Sequence, residues 1–423
     1  MIYLLSSGLA GGLSFARLLL ILYLVDEQYS SFYVILHGFM MFSAYSDLGM
    51  NQGVLYKATH SNTDKILIVL NSLAPMLKIS ILVFPFFVVF VILSVNLQQM
   101  TLLSILIASF TYLIANSALN YVQIYFRVLE GFNTLGLINL ATAFVTTVIT
   151  CLIIVFYNGP YTVVWLLLSY PISVAVAIGT VWLIGKIKVE FRSNEETKLA
   201  ATRAYIAKGA AVALIGFLLG NVIISDRLII ENGDAPWGGS YIFFSVVASL
   251  ILTFNNYLYH LIFKGFFSRQ SKIFGIVMDR GASLNLYLIS ITIIIFLFFN
   301  SARLLIPILA DQHAGSIELL SVPIFMVLSF SIIGFVTQFM MAGLPKKTFL
   351  TFGCLVLITY IVLCRGMSQH LGPEEFLIFA SVLSALVCFL YVAAFCYFFR
   401  TNFSSLATFV GSYAIINYQL AIL

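Results

Sequence analysis

Apolar runs of about twenty residues follow one another from end to end of this 423-residue chain, and the gaps between them alternate in charge. A hydrocarbon core about 30 Å thick takes roughly 20 helical residues to cross. Hydrophobic residues make up 61% of the chain and charged residues only 9%, with a mean hydropathy of +1.06, which sets it apart from soluble globular domains. The expected fold is an all-α polytopic membrane protein: about 12 transmembrane helices in two six-helix bundles around a central cavity.

The apolar stretches fall at 2–24, 29–50, 76–95, 102–122, 134–156, 161–183, 206–230, 239–263, 284–305, 319–342, 349–364 and 375–399. Residues 401–423 are only weakly apolar, interrupted by Asn402, Ser404, Ser405, Ser412, Asn417 and Gln419, and read as an interfacial segment or partial extra helix. Seventeen of the 21 Lys and Arg fall in the gaps after even-numbered stretches, at the first residues of the stretch that follows, or in the tail, among them Lys57, Lys65, Arg127, Lys186, Lys188, Arg192, Lys346, Lys347 and Arg400. Basic loops stay cytoplasmic, so both termini are expected on that side. The opposite gaps carry Asp26, Glu27, Glu231, Asp234, Asp311, Glu318, Glu374 and Glu375. The domain reading is an N-terminal bundle at 1–183, a cytoplasmic, partly helical linker at 184–205, a C-terminal bundle at 206–400 and the tail at 401–423.

Several function classes are disfavoured. The net charge of +5 is spread over short loops rather than one face, so nucleic acid is not an expected partner. Cys151, Cys354, Cys364, Cys388 and Cys396 lie within apolar stretches without CxxC spacing, as small core residues do. His37, His60, His260, His313 and His370 form no i,i+4 pair, and no metal or other cofactor is expected. There is no phosphate-cradling P-loop, which disfavours ATP hydrolysis. The run from Ile2 to Val25 lacks a basic leader and is too long for a cleaved signal, so it is expected to persist as a helix.

The halves look related. Arg17 in FARLLLILYL aligns with Arg227 in ISDRLIIEN at an offset of 210, Tyr33 with Tyr241 at 208, and Gly131 with Gly343 at 212. One near-constant offset suggests two six-helix repeats of the same orientation, with a substrate path between them.

Charges inside a span are costly and usually face a cavity or a partner. Arg17 lies past the middle of the first stretch, where a guanidinium offers paired hydrogen bonds to phosphate or carboxylate, or else snorkels or pairs structurally with an acid such as Asp226. Asp226 and Arg227 are adjacent, about 100° apart around a helix, so each needs another partner, which could lie in the opposite repeat or be a substrate. Asp47 reads as an ion-coupling candidate or a helix-end cap, with Asp226 a second coupling candidate. Asn116, Asn120, Gln123 and Arg127 share one face of the fourth stretch, and Asn256, His260 and Lys264 one face of the eighth. Such stripes either line a path for a polar headgroup or bond helix to helix. Gly8-xxx-Gly12 and Gly216-xxx-Gly220 would permit close helix approach.

The segments ARLLLILYL, YSSFYVILHGFMMFSAYSDLGMNQGVLYK, RVLEGFNTLGLINLATAF, IISDRLIIENGDAPWGGSYIFFSVV and MMAGLPKKTFLTF together resemble O-antigen and polysaccharide flippases of the Wzx type. These belong to the multidrug/oligosaccharidyl-lipid/polysaccharide exporter superfamily. The resemblance implies two helical bundles around a central cavity and an undecaprenyl-diphosphate-linked repeat unit as cargo. It implies transfer from the cytoplasmic to the periplasmic leaflet of a bacterial inner membrane by alternating access, coupled to an ion gradient. A polysaccharide polymerase and a chain-length regulator would be further partners beside the lipid bilayer. Arg17, Asp47, Asp226 and Arg227 match recurrent charged positions of the family; Asn116, Asn120, Gln123, Asn256, His260 and Lys264 rest on their spacing alone.

Three other readings compete. A flippase for another lipid-linked glycan would share these features. A drug or cation antiporter of the same superfamily would share the bundles, with acid-rich aromatic cavities rather than intramembrane arginine. A polysaccharide polymerase or sugar transferase would need substantial extracytoplasmic loops, and these are short.

Overall fold

A computed structural model describes residues 2–60, 65–94, 102–129, 131–157, 161–184, 195–232, 237–263, 271–273, 276–278, 280–309, 318–343, 346–401 and 404–421. The architecture is helical, as expected from the apolar runs. The helices are α1 (Ile2–Leu24), α2 (Glu27–Met41), α3 (Met50–His60), α4 (Lys65–Leu70), α5 (Leu73–Ser94), α6 (Leu102–Val128), α7 (Phe132–Phe156) and α8 (Thr162–Leu183). They continue as α9 (Glu195–Asn232), α10 (Gly238–Phe263), α11 (Arg280–Leu309), α12 (Ser321–Gly343), α13 (Lys346–Met367), α14 (Pro373–Phe399) and α15 (Ser404–Ala421). A short antiparallel ribbon, Ser271–Ile273 paired with Ile276–Met278, is the one departure from all-helical structure among the described residues.

Nine of these helical stretches, among the described residues, are long and apolar enough to cross a membrane. Shorter apolar stretches occur at Phe32–Tyr45, Gly209–Val222, Gly238–Ser249 and Ser404–Ile416. The weakly apolar tail is therefore a helix, α15, packed on α11 and α14. Large apolar side chains such as Phe86 and Phe156 point outward at 76% and 80% exposure, a distribution suited to a hydrocarbon solvent rather than to water.

The stretch at 29–50 is not one continuous helix. After Met41 the chain tightens into a 3-10 turn over Phe42–Tyr45, then turns through Leu48 and Gly49 at φ of 52° and 77° before α3 begins. The left-handed conformation at Gly49 carries no side-chain penalty. A Cβ at Gly49 would also overlap the backbone carbonyl of Gly209, and one at Gly53 that of Tyr205. The first half of α9 thus lies backbone to backbone against the start of α3. At Gly8 and Gly12 an added Cβ would meet nothing, and at Gly216 it would meet the Tyr45 ring. The close helix approach expected at those GxxxG pairs occurs instead around Gly49, Gly53 and Gly209.

The chain divides into two compact units, 1–217 and 218–423, with the boundary inside α9. In the first, α6 is central, packing on α2, α5, α7 and α8. In the second, α12 packs on α10, α11, α13 and α14. Shifted by about 210 residues, these neighbour sets correspond one to one. A core of Met50, Val54, Met76, Tyr121 and Leu135 fills the α3, α5, α6 and α7 junction of the first unit.

The glycine contacts give a direct test. Gly53→Ala and Gly209→Ala are expected to destabilise the detergent-solubilised protein by about 2 kcal/mol, the cost of overpacking. Gly8→Ala and Gly12→Ala should stay within about 0.5 kcal/mol of the parent. Thermal unfolding of the four variants side by side checks this.

Candidate functional site

The break after α2 is closed by side chains of the α6 stripe, in the second of the two roles that the sequence left open for them. Asn116 of α6 donates through Nδ2 to Ser43 Oγ at 2.7 Å, and its Oδ1 accepts from the Tyr170 hydroxyl at 2.9 Å. Asn120 Nδ2 donates to the Ala44 carbonyl at 3.0 Å. A 3-10 turn inside an apolar bundle leaves carbonyls that need donors; Asn120 supplies one, and Asn116 ties the turn through the Ser43 hydroxyl. Two members of the α6 stripe are thus helix-to-helix bonds, while Gln123 is half-buried one turn further on. A second group of hydroxyls, Ser46 to Ser80 at 3.0 Å and Ser117 to Ser80 at 2.9 Å, ties the same turn to α5 and α6.

Asp47 is 1% exposed. Its Oδ1 accepts from the Gly49 N–H at 2.9 Å and its Oδ2 from the Asn51 N–H at 3.0 Å. Both oxygens therefore cap the start of α3, where backbone N–H groups lack helical partners. The Asp-Leu-Gly segment is a turn with a mechanism: the acid caps, and the glycine allows close approach.

Above this turn a cavity of about 290 Å³ opens between α1, α2, α6, α7 and α8. Its polar lining is Ser14, Arg17, His37, Asn139, Thr142, Thr146 and Tyr170. Arg17 is 5% exposed, and its Nε has no partner among the described residues. Its Nη2 makes one long contact, 3.5 Å, to His37 Nε2. The other ring nitrogen of His37, Nδ1, lies 2.7 Å from the Tyr112 hydroxyl. Tyr33 stacks on the His37 ring at 5.4 Å, and Tyr112 stacks on Tyr170 at 5.1 Å. A guanidinium has five donors in a planar fork. Here, buried beside a polar cavity, most of them are left for a ligand that accepts.

The second unit solves the corresponding position differently. Asp226 is 4% exposed and accepts from the Tyr241 hydroxyl through Oδ2, while its Oδ1 has no partner among the described residues. Arg227 donates through Nη2 to the Ser245 carbonyl at 3.2 Å. Both partners come from α10 of the same unit. The offset that aligns Tyr33 with Tyr241 also aligns His37 with Ser245, so each arginine bonds the residue at the matching place on the next helix. Ala16 stands where the second unit has Asp226, so Arg17 has no acid beside it in sequence.

Among the residues that the sequence proposed, the structure places Arg17 at the first unit's cavity, Asn116 and Asn120 in the network below it, and Asp226 with Arg227 in the second unit. Asn256 and His260 lie in α10, but their side chains fall outside the described residues, as does Lys264. Sequence reasoning passed over His37, Tyr112 and Tyr170. The signal for His37 was its place one helical turn after Tyr33, itself aligned with Tyr241.

In overall fold the chain is similar to transporters of known structure. A MOP superfamily transporter from Pyrococcus furiosus, described as having a binding pocket of reversed polarity, aligns over 98% of this chain and 94% of its own, with a TM-score of 0.59 and 11% identity. The Vibrio cholerae MATE transporter VcmN aligns over 94% of this chain and 95% of its own, with a TM-score of 0.54 and 13% identity. A MATE transporter in a bent conformation aligns over 98% and 95%, with a TM-score of 0.58 and 12% identity. No family model and no curated protein matches the chain in sequence. At these identities the likeness establishes the fold.

The capping geometry of Asp47 predicts the behaviour of its variants. Asp47→Ala should lower stability by about 1 kcal/mol, whereas Asp47→Asn, which keeps an acceptor oxygen, should lose less than half of that. Thermal melting of the purified variants measures both.

Proposed function

We propose that this protein is a membrane transporter that moves a lipid-linked glycan across the bilayer by alternating access. Its cargo in this reading is an undecaprenyl-diphosphate-linked O-antigen or polysaccharide repeat unit, carried from the cytoplasmic to the periplasmic leaflet of the inner membrane. The observation that carries the reading is Arg17, a buried guanidinium with unused donors at a polar cavity of about 290 Å³.

The physical problem fits that group. A diphosphate cannot enter hydrocarbon unaided, because desolvating an uncompensated ion costs several kcal/mol or more. Ser14, Asn139 and Thr142 offer hydrogen-bond donors around Arg17 in place of lost hydration. The fold shared with MATE transporters supports transport as the activity, and its Pyrococcus furiosus relative is described as having reversed pocket polarity. A cationic rather than acidic cavity in this chain points the same way. The basic gaps after even-numbered stretches support cytoplasmic termini.

A drug or cation antiporter is the second reading, and one observation favours it. The unpartnered Oδ1 of Asp226 is a buried anionic acceptor of the kind a cation would take. In the flippase reading the same oxygen serves the coupling ion.

Leaflet transfer of a fluorescent undecaprenyl-diphosphate glycan in sealed vesicles tests the proposal. The parent should transfer it. Arg17→Ala at matched insertion should lose roughly tenfold or more, the cost of charge-assisted hydrogen bonds. Arg303→Ala, at an exposed arginine, should behave as the parent does. Absence of transfer by a correctly inserted parent given its cognate glycan would reject the flippase reading and leave the antiporter.

A further inference from the structure

His37 sits where chemistry restricts what it can be. Arg17 only donates, so the His37 Nε2 that it meets at 3.5 Å must be bare. The proton of the neutral ring therefore resides on Nδ1, which donates to the Tyr112 oxygen at 2.7 Å. The titratable groups that face the ring are Arg17 from α1, Tyr33 from its own helix, Tyr112 from α6 and Tyr170 from α8. No carboxylate lines the cavity among the described residues. Arg17 thus waits on a neutral base, whereas its counterpart Arg227 has Asp226 beside it.

We infer that His37 is the resting partner of Arg17, that an oxyanion entering the cavity draws Arg17 away, and that His37 then takes one proton on Nε2 from water as the anion binds. The inference rests on the anion-binding reading of the cavity given above. Charge balance gives the reason. A phosphate-type headgroup brings more than one negative charge, and Arg17 supplies a single positive one. With the guanidinium turned to the anion, the bare Nε2 is left beside an acceptor that wants a donor. One proton from solvent makes the imidazolium, which donates to the anion and supplies the second charge. His37 is therefore a positioning residue for Arg17 in the empty site and a ligand in the filled one. The cargo site in this account takes up one proton with each anion.

Inorganic sulfate is a suitable probe, because it stays a dianion across the range in which imidazole titrates. Binding of sulfate to the purified full chain, measured by calorimetry in two buffers of different ionisation enthalpy, reads the protons taken up. Near neutral pH close to one proton per bound sulfate is expected, and affinity should fall by up to tenfold per pH unit as pH rises. His37→Gln keeps an acceptor for Arg17 but cannot be protonated. It should still bind sulfate, with no proton uptake and a flat pH profile. A parent that binds sulfate through Arg17 without proton uptake overturns the inference and leaves the anion reading intact. A folded parent that binds no sulfate at all overturns both. The two-buffer measurement on the parent stands even if the variant does not fold. Comparing farnesyl diphosphate with inorganic pyrophosphate identifies the source of the anion: at least tenfold tighter binding of the prenyl compound supports a lipid headgroup, and equal affinity rejects it.

Discussion

Within a hydrocarbon layer no water replaces a lost backbone hydrogen bond, and every departure from helix must find its donors and acceptors in protein. The first unit departs from helix over Phe42–Gly49, and its surroundings answer that demand group by group. Asp47 covers the N–H groups of Gly49 and Asn51 at the start of α3, Asn120 covers the Ala44 carbonyl, and Asn116 holds Ser43. These bonds fix α2 against α6. Through Tyr170, which donates to Asn116, they also fix α8. His37, Tyr112 and Tyr170 are held around Arg17 as a consequence, so the cavity depends on the repair of the broken helix beneath it.

The two units share a plan and differ in charge. Both place an arginine on the first helix of the repeat and a fully buried tyrosine on the next, and both arginines bond one turn beyond that tyrosine. In the second unit the neighbouring Asp226 offsets the cation. In the first, Ala16 occupies that place and a neutral histidine stands in. Two units alike in helix plan thus carry a cationic cavity in one and an arginine with a neighbouring acid in the other.

Much of the helical plan was legible in the apolar runs. Eleven of the twelve stretches fall on single helices, the one at 29–50 being broken after Met41, and Arg17 drew attention because a charge in such a run is costly. The same logic left the α6 stripe open between two readings. Spacing shows that Asn116 and Asn120 share a face, but a face that lines a path and a face that bonds a neighbour look identical in sequence. Asp47 carries the same ambiguity, resolved only once the backbone turns at Leu48 and Gly49 bring two N–H groups to its carboxylate. For Asp226 and Arg227 the sequence showed that each needs another partner, and α10 of the same unit supplies one to each.

What the sequence determined by itself was the solvent and the repeat. Transfer free energy accumulates residue by residue along a run, so a stretch of twenty apolar residues declares its environment without reference to any other stretch. The near-constant offset of 210 is likewise a property of the chain alone. Only the tertiary structure decided what Arg17 meets. His37, Tyr112, Asn139 and Tyr170 come from four other helices, up to about 150 residues away, and their approach depends on a helix break and on side-chain directions. Hydrogen bonds act over about 3 Å and demand alignment. A short-range, directional interaction of that kind leaves no periodic trace in sequence, which is why the charge was visible there and its partner was not.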